Sequence, residues 1–375
     1  METFEDSGWS RDAGRAEAAA DVPPQALSPR LAAVARAFRA KPFVPHRLAR
    51  GGHAQTLVSG LRGKTNTRLN DEIRGYEPRT FEVEPGRATL LAHCRWQLER
   101  AAVPTVVLVH GLEGSSRSHY MRGTGRKAFA EGFNVVSLNL RNCGDTEHLA
   151  DTLYHSGMSG DISRVVEELS ERDRLTSVFV AGFSMGGNIA LKLAGEYGAD
   201  FPPALKGVCA VSPSLDLNAC AEQIERRENM LYQSSFMRSL RRRIRRKHRL
   251  RPGAYDVRNL RRVRTVRQFD ERFTAPHAGF RDAADYYAQS SALPLVARVR
   301  VPTLVLHAQD DPIIPASSFH DPALADNPSV LLVMPEHGGH VAFVADAGAG
   351  GEDRFWAENR VVEFCRMMAG DVRGV

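Results

Sequence analysis

The stretch Val178–Asn188, VFVAGFSMGGN, places a serine where a serine can act as a nucleophile. An apolar, β-branched run ends at Gly182, Ser184 follows two residues later, and Gly186 leads into a helix-like NIALKLAGEYG. A strand, a tight turn and a helix around G-x-S-x-G lift the hydroxyl above the end of a sheet. The turn strains the serine backbone and leaves no space for side chains at the flanking glycines. The helix that follows aims unpaired N–H groups at the reaction site, where they can stabilise a developing oxyanion. Such a serine needs a base, and the base needs a carboxylate to fix its tautomer. Downstream, strand Thr303–His307 runs into AQDDPIIP, which offers Asp310 and Asp311, and a last strand runs into PEHGGHVAF, which offers His337 and His340. The spacing from the small residue Ala308 favours Asp311, leaving Asp310 as a turn residue or a supporting group. Gly338-Gly339 lets its loop bend so that His340, in preference to His337, reaches back to Ser184. The oxyanion hole would come from two backbone amides, that of Met185 and that of Leu112 in His110-Gly111-Leu112-Glu113-Gly114. His110, at a strand end, suits a hydrogen bond that holds this loop. The chemistry implied is acyl transfer through a serine.

These residues need a sheet with its strand ends on one side. The short apolar runs Pro104–Val109, Asn134–Leu138, Ser177–Ala181, Gly207–Val211, Thr303–His307 and Ser329–Met334 read as strands buried on both faces. Arg79–Val83 and Ala88–Trp96 read as opening antiparallel strands. Helices are expected at Pro29–Ala40, Tyr120–Glu131, Asp161–Glu171, Asn188–Tyr197 and Phe355–Met368. The alternation predicts an α/β fold with a doubly wound, mostly parallel, eight-stranded sheet. Residues 1–28 read as a mobile tail, 29–217 and 294–375 as the core, and 218–293 as a helical cap inserted after the sixth sheet strand.

Composition is that of an ordinary soluble protein, 43% hydrophobic and 25% charged. No apolar run approaches a membrane span, and METFEDSGWSRDAGR lacks the basic start and apolar core of a signal peptide. Five scattered cysteines without C-x-x-C spacing argue against a disulfide framework and a zinc site, so a cytoplasmic protein is expected. The net charge of +6 is local: Arg238–Arg267 carries fourteen Lys/Arg against Asp256 alone, leaving the remainder of the chain at −7. Within it, RSLRRRIRRKHRLR (Arg238–Arg251) reads as a solvated basic helix or a weak contact with an anionic membrane surface. It has no regular apolar stripe and no interleaved aromatics for base stacking, which argues against nucleic acid.

Beyond the G-x-S-x-G elbow at Gly182–Gly186, GGHAQT (Gly51–Thr56), HGLEGSSRSHYMRG (His110–Gly123), NLRNCGD (Asn139–Asp145), YHSG (Tyr154–Gly157), FDERFTAPHAGF (Phe269–Phe280) and DYYAQSS (Asp285–Ser291) mark the chain further. With DDPIIP and EHGGHVAF they resemble the YheT-like branch of the α/β-hydrolases, from about Pro42 to the C-terminal helix. The resemblance implies the α/β-hydrolase fold and carboxylic ester hydrolysis through Ser184, Asp311 and His340. It implies a small-molecule ester or lipid substrate and calls for no metal or organic cofactor. RNCGD stands where the branch suggests a more glycine-rich RGCSG, which alters the expected pocket wall near Cys143. The N-terminal anchor of some eukaryotic relatives is not expected here. Two alternatives stay open: acyl transfer to an alcohol by the same triad, and a non-catalytic protein that binds anionic lipid or nucleic acid through the basic segment.

Overall fold

The computed structural model describes residues 27–65, 75–346 and 351–370. The expected tail, residues 1–28, lies outside them except for Leu27 and Ser28. Ser28 belongs to the fold: its hydroxyl caps helix Pro29–Arg39 by accepting from the Leu31 amide, and its amide donates to the Pro328 carbonyl.

Eight described strands form one sheet in the order β1-β2-β4-β3-β5-β6-β7-β8. They are β1 (Glu77–Glu84), β2 (Ala88–Arg95), β3 (Thr105–Val109), β4 (Asn134–Asn139), β5 (Val178–Phe183), β6 (Leu205–Val211), β7 (Thr303–Leu306) and β8 (Val330–Val333). β1 and β2 pair antiparallel and join β4 antiparallel; all other pairings are parallel. The pattern of the sequence explains the split. β2 alternates buried and half-buried residues, as an outer strand does, whereas every residue of β3, β4 and β5 is buried. In β3, Val107 and Val109 enter the core under helix Met185–Tyr197, and Val106 and Leu108 enter the opposite core under helix Trp356–Ala369. The result is a three-layer, doubly wound sheet whose parallel strands end on one side.

Between β6 and β7 the chain leaves the sheet through helices Leu217–Ile224, Met230–Leu250 and Ala283–Ser290, with shorter turns between them. Asp216 caps the first by accepting from the Asn218 and Ala219 amides. The basic run forms the second, and here the sequence reading needs correction: an apolar stripe does exist. Met237, Leu240 and Ile244 are buried at i, i+3 and i+7 against Leu153, Tyr255, Leu260, Val263, Phe269 and Phe273. Arg243 and Lys247 extend the stripe as buried cations. Helix Gly52–Thr65 was also not anticipated; its three glycines and lack of a clear apolar face hide it in the sequence. No described helix is long and apolar enough to cross a membrane.

Candidate active site

Ser184 sits between β5 and helix Met185–Tyr197 with φ 55° and ψ −119°, a conformation that L-residues rarely adopt. Its surroundings hold it there. The Ser184 amide donates to the Val211 carbonyl at 2.8 Å, and its carbonyl accepts from the Asn188 amide at 3.1 Å. A Cβ on Gly182 would overlap the Gly186 carbonyl, and one on Gly186 would overlap the carbonyls of Val109 and His110. The turn is therefore closed to other residues at both flanks.

The ends of β7 and β8 bring the polar partners. His340 Nε2 lies 2.9 Å from Ser184 Oγ, and His340 Nδ1 lies 2.8 Å from Asp311 Oδ2. The other Asp311 oxygen accepts from the Ile313 and Ile314 amides at 2.8 and 3.0 Å. Burial by itself would raise the Asp311 carboxyl, but the charge of His340 and these hydrogen bonds hold it below its ordinary value. The carboxylate is thus buried, ionised and fixed. Asp310 serves the loop instead: Oδ1 accepts from the Gly339 amide at 2.9 Å and Oδ2 faces His337 Nδ1 at 3.1 Å. Two parallel Asp–His pairs result, and only one reaches Ser184.

The His340 loop is braced from the N-terminal segment. Thr56 Oγ accepts from the His340 amide at 2.9 Å and donates to the Gly52 carbonyl at 2.7 Å. Gln55 Nε2 donates to the Ala49 and Val344 carbonyls, while its Oε1 accepts from the Val344 amide. Gly52 packs so closely on the Asp310 backbone that a Cβ would overlap its carbonyl oxygen. GGHAQT therefore has a mechanical role that its composition did not reveal.

In the loop after β3, three amides are satisfied. Gly111 donates to Tyr120 OH at 3.0 Å, Glu113 to Tyr154 OH at 2.8 Å, and Gly114 to the Gly111 carbonyl at 3.0 Å. The Leu112 amide has no partner among the described residues, and neither has that of Met185, the first residue of its helix. His110 Nε2 accepts from the Leu140 amide at 3.1 Å, so its Nδ1 carries the proton and donates to the Gly111 carbonyl at 2.8 Å. Burial pushes its pKa down to about 4, and it stays neutral.

A contact that sequence reasoning missed joins this loop to the inserted helices. Arg243 Nε donates to Glu113 Oε1 at 2.7 Å, and its Nη1 donates to the Asn142 carbonyl. Tyr154 OH donates to the same Glu113 oxygen at 3.0 Å, and the Arg243 guanidinium lies 4.8 Å from the Tyr154 ring centre. Glu113 itself has φ 57°. A buried arginine thus fixes the residue next to Leu112. Only its helical phase, visible once the Met237–Leu240–Ile244 stripe is known, distinguishes Arg243 from its neighbours.

Above Ser184 lies a cavity of about 880 Å³, counting space open to solvent. Leu112, Leu153, Leu217, Ile224, Phe236 and Leu240 give it an apolar wall. Asp270 is also in its lining, accepting from Thr274 Oγ1 at 2.6 Å and Tyr287 OH at 2.8 Å. Burial raises its pKa to about 6 against the pull of those two donors. An acid whose folded pKa exceeds its unfolded value binds more protons when folded, so stability falls as pH rises from about 4 through 6. Asp270→Asn removes that loss. Its unfolding free energy relative to wild type, measured by denaturant titration, should rise between pH 5 and pH 8 toward a gain of up to about 3 kcal/mol. A pH-independent difference would contradict the buried acid.

The structure therefore brings Ser184, Asp311, His340 and the amides of Leu112 and Met185 to one place, and leaves Asp310 and His337 beside it.

The family model described as alpha/beta hydrolase fold matches residues 104–347. The chain is 31% identical to "Putative esterase YheT" of Escherichia coli, over 86% of this chain and 92% of that one. It is 30% identical to the monoacylglycerol lipase of Saccharomyces cerevisiae, over 72% of this chain and 61% of that one. It is 28% identical to the mouse phospholipase ABHD3, over 66% of this chain and 60% of that one. Among solved structures, the Pyrococcus furiosus esterase Pf2001 superposes with a TM-score of 0.52 at 17% identity, covering 80% of this chain and 96% of that one, which is a likeness of fold.

Proposed function

The chain belongs to the α/β-hydrolase fold family, in its YheT-like branch, and from that premise we propose that it hydrolyses carboxylic esters through Ser184, Asp311 and His340. The observation that carries the reading is the unbroken path Asp311–His340–Ser184, with hydrogen-bonding separations of 2.8 and 2.9 Å. His340 Nε2 takes the hydroxyl proton as Ser184 Oγ attacks the ester carbonyl. Asp311 holds Nδ1–H and stabilises the imidazolium that forms. The amides of Leu112 and Met185 bind the oxyanion, and their lack of any other partner leaves them ready without rearrangement. His340 then gives its proton to the departing alcohol. It next takes one from water, whose oxygen attacks the acyl carbon, and hands that proton to Ser184 Oγ as the C–O bond breaks and the acid is released. No step asks for a metal or cofactor.

The cavity supports an acyl group of medium length or an acylglycerol-type lipid, with the inserted helices serving as the cap that shapes it. The scattered, unpaired thiols support a cytoplasmic setting. A p-nitrophenyl ester series tests the reading: kcat/KM should rise with acyl length, and rapid mixing should show a nitrophenol burst equal to the enzyme present. A folded protein that cleaves none of the series would overturn it.

The cavity also makes a specificity prediction. Ala221 is buried in its wall, and Ala221→Phe puts a ring into the space the distal acyl chain would occupy. Each methylene kept out of an apolar site costs about 0.8 kcal/mol, so displacing four would lower kcat/KM roughly a hundredfold. Dodecanoyl ester should lose that much while acetyl ester changes little. Equal losses for both would show that the cavity is not the acyl site.

A further inference from the structure

Helix Met230–Leu250 has two kinds of basic residue. Those turned inward are matched: Arg243 to Glu113, Arg246 to Glu147 at 2.7 Å, and Lys247 to the carbonyls of Glu147 and Ala150. Arg238, Arg242, Arg245 and Arg249 are exposed, and none has a carboxylate within ion-pairing distance among the described residues. Their spacing of four, three and four puts all of them on one face, a stripe about 16 Å long. Unpaired like charges one turn apart repel one another, so the helix carries an electrostatic cost that a polyanion would remove.

Apolar residues stand exposed at both ends of the same helix. Met230 is 58% and Leu231 76% exposed at its start, and Leu250 is 54% exposed at its end. Tyr232, next to Leu231, stacks on His53 with ring centres 5.7 Å apart. One turn after His53, Leu57 and Val58 are exposed too, at 52% and 42%. Met230, Leu231, Leu57 and Val58 thus lie within about one turn along the chain of the His53–Tyr232 contact that joins helix Gly52–Thr65 to the basic helix. The inner face of the basic helix, through Phe236, Leu240 and Arg243, lines the cavity over Ser184.

We propose that this helix docks the protein on an anionic lipid surface, with the four arginines on the phosphates and Met230 and Leu231 entering the headgroup layer. Charge and apolar surface together favour a bilayer over a nucleic acid. The exposed stripe has no aromatic side chain on which a base could stack, and the flanking apolar residues gain nothing from a phosphodiester backbone. Charge is distributed to match: the segment Arg238–Arg267 is strongly positive while the remainder of the chain is at −7, so the molecule is oriented as it approaches. Binding in this mode does not depend on the triad, and it brings the cavity's own wall to the lipid.

The test is co-sedimentation of the full chain carrying Ser184→Ala with vesicles of phosphatidylcholine alone or mixed with phosphatidylglycerol, at low and high salt. Binding is expected only to the mixed vesicles and only at low salt. Each arginine near such a surface contributes about fivefold, so R238Q/R242Q/R245Q/R249Q should bind at least a hundredfold more weakly. The same four changes beside an intact Ser184 should leave hydrolysis of a soluble short-chain ester unchanged, which shows that the variant is folded. Leu231→Asp should weaken vesicle binding with all arginines present. Equal binding to neutral vesicles, no binding to either, or no effect of the four changes would overturn the proposal. So would displacement from mixed vesicles by duplex DNA at matched phosphate concentration, which would assign the stripe to nucleic acid.

Discussion

Ser184→Ala should lose ester turnover by a factor on the order of 10⁶ and take up no fluorophosphonate, while wild type gains one adduct by intact mass. Among the described residues, Ser184 Oγ is the hydroxyl bonded to His340 Nε2, and the Cys220 thiol in the cavity wall has no such base, its pKa being pushed up by burial. Asp311 is turned away onto His340 and two amides, and water lacks the fixed position of the Ser184 oxygen between His340 Nε2 and the free amides of Leu112 and Met185. Substrate binding should survive, because the cavity wall and both amides are untouched, so KM should change far less than kcat. The fold should survive as well. Alanine keeps the unfavourable φ of 55° and loses one hydrogen bond, giving a stability near that of wild type. Ser184→Gly offers an internal control: equally inactive, yet more stable than Ser184→Ala by about 1 kcal/mol, because glycine accepts that backbone without strain. Turnover like that of wild type in either variant would remove Ser184 from the mechanism. An alanine variant more stable than the glycine variant would mean that the elbow is not strained.

Much of this arrangement was legible because several local signals had to agree. Pro104–Val109, Asn134–Leu138 and Ser177–Ala181 are apolar without alternation, which only a strand covered on both faces tolerates, and they become β3, β4 and β5 within a residue or two. Ser184 was legible because strand, glycine spacing and helix meet there. What stayed hidden depends on pairing across the chain. Gln55 and Thr56 brace the His340 loop from almost three hundred residues away, and nothing in GGHAQT says which carbonyls they meet. Glycine content also disguised the helix that carries them. Arg243 was lost in a run of identical residues, since charge alone does not give helical phase. Burial decides it: the neighbouring Arg242 is in water, while Arg243 lies under the loop that positions Leu112. The same helix therefore reads as a plain basic run in sequence and as a two-faced element in the fold.

The choice between adjacent carboxylates yields the second large effect. Asp311→Asn should lower kcat/KM by a factor on the order of 10⁴, whereas Asp310→Asn should lower it less than about tenfold. An asparagine at 311 can keep its oxygen on the Ile313 and Ile314 amides, so the turn after β7 holds its shape. Its NH₂ group then faces His340 Nδ1, where an acceptor stood before. Two donors cannot share that bond, so the imidazole moves its proton to Nε2. Nε2 can then no longer accept the Ser184 proton, and the imidazolium, if formed, has no counter-charge. At position 310 the change is milder in kind. One oxygen still accepts from the Gly339 amide, and only the pairing with His337 is disturbed, a residue whose bond ends at Asp310 and does not lead to Ser184. The loop loosens, but the tautomer of His340 is preserved. Steady-state kinetics on both variants, with fluorophosphonate labelling rates as a second readout, separate the two positions. Comparable losses would show that loop rigidity rather than the tautomer limits the rate, and a larger loss at 310 would transfer the orienting role to Asp310.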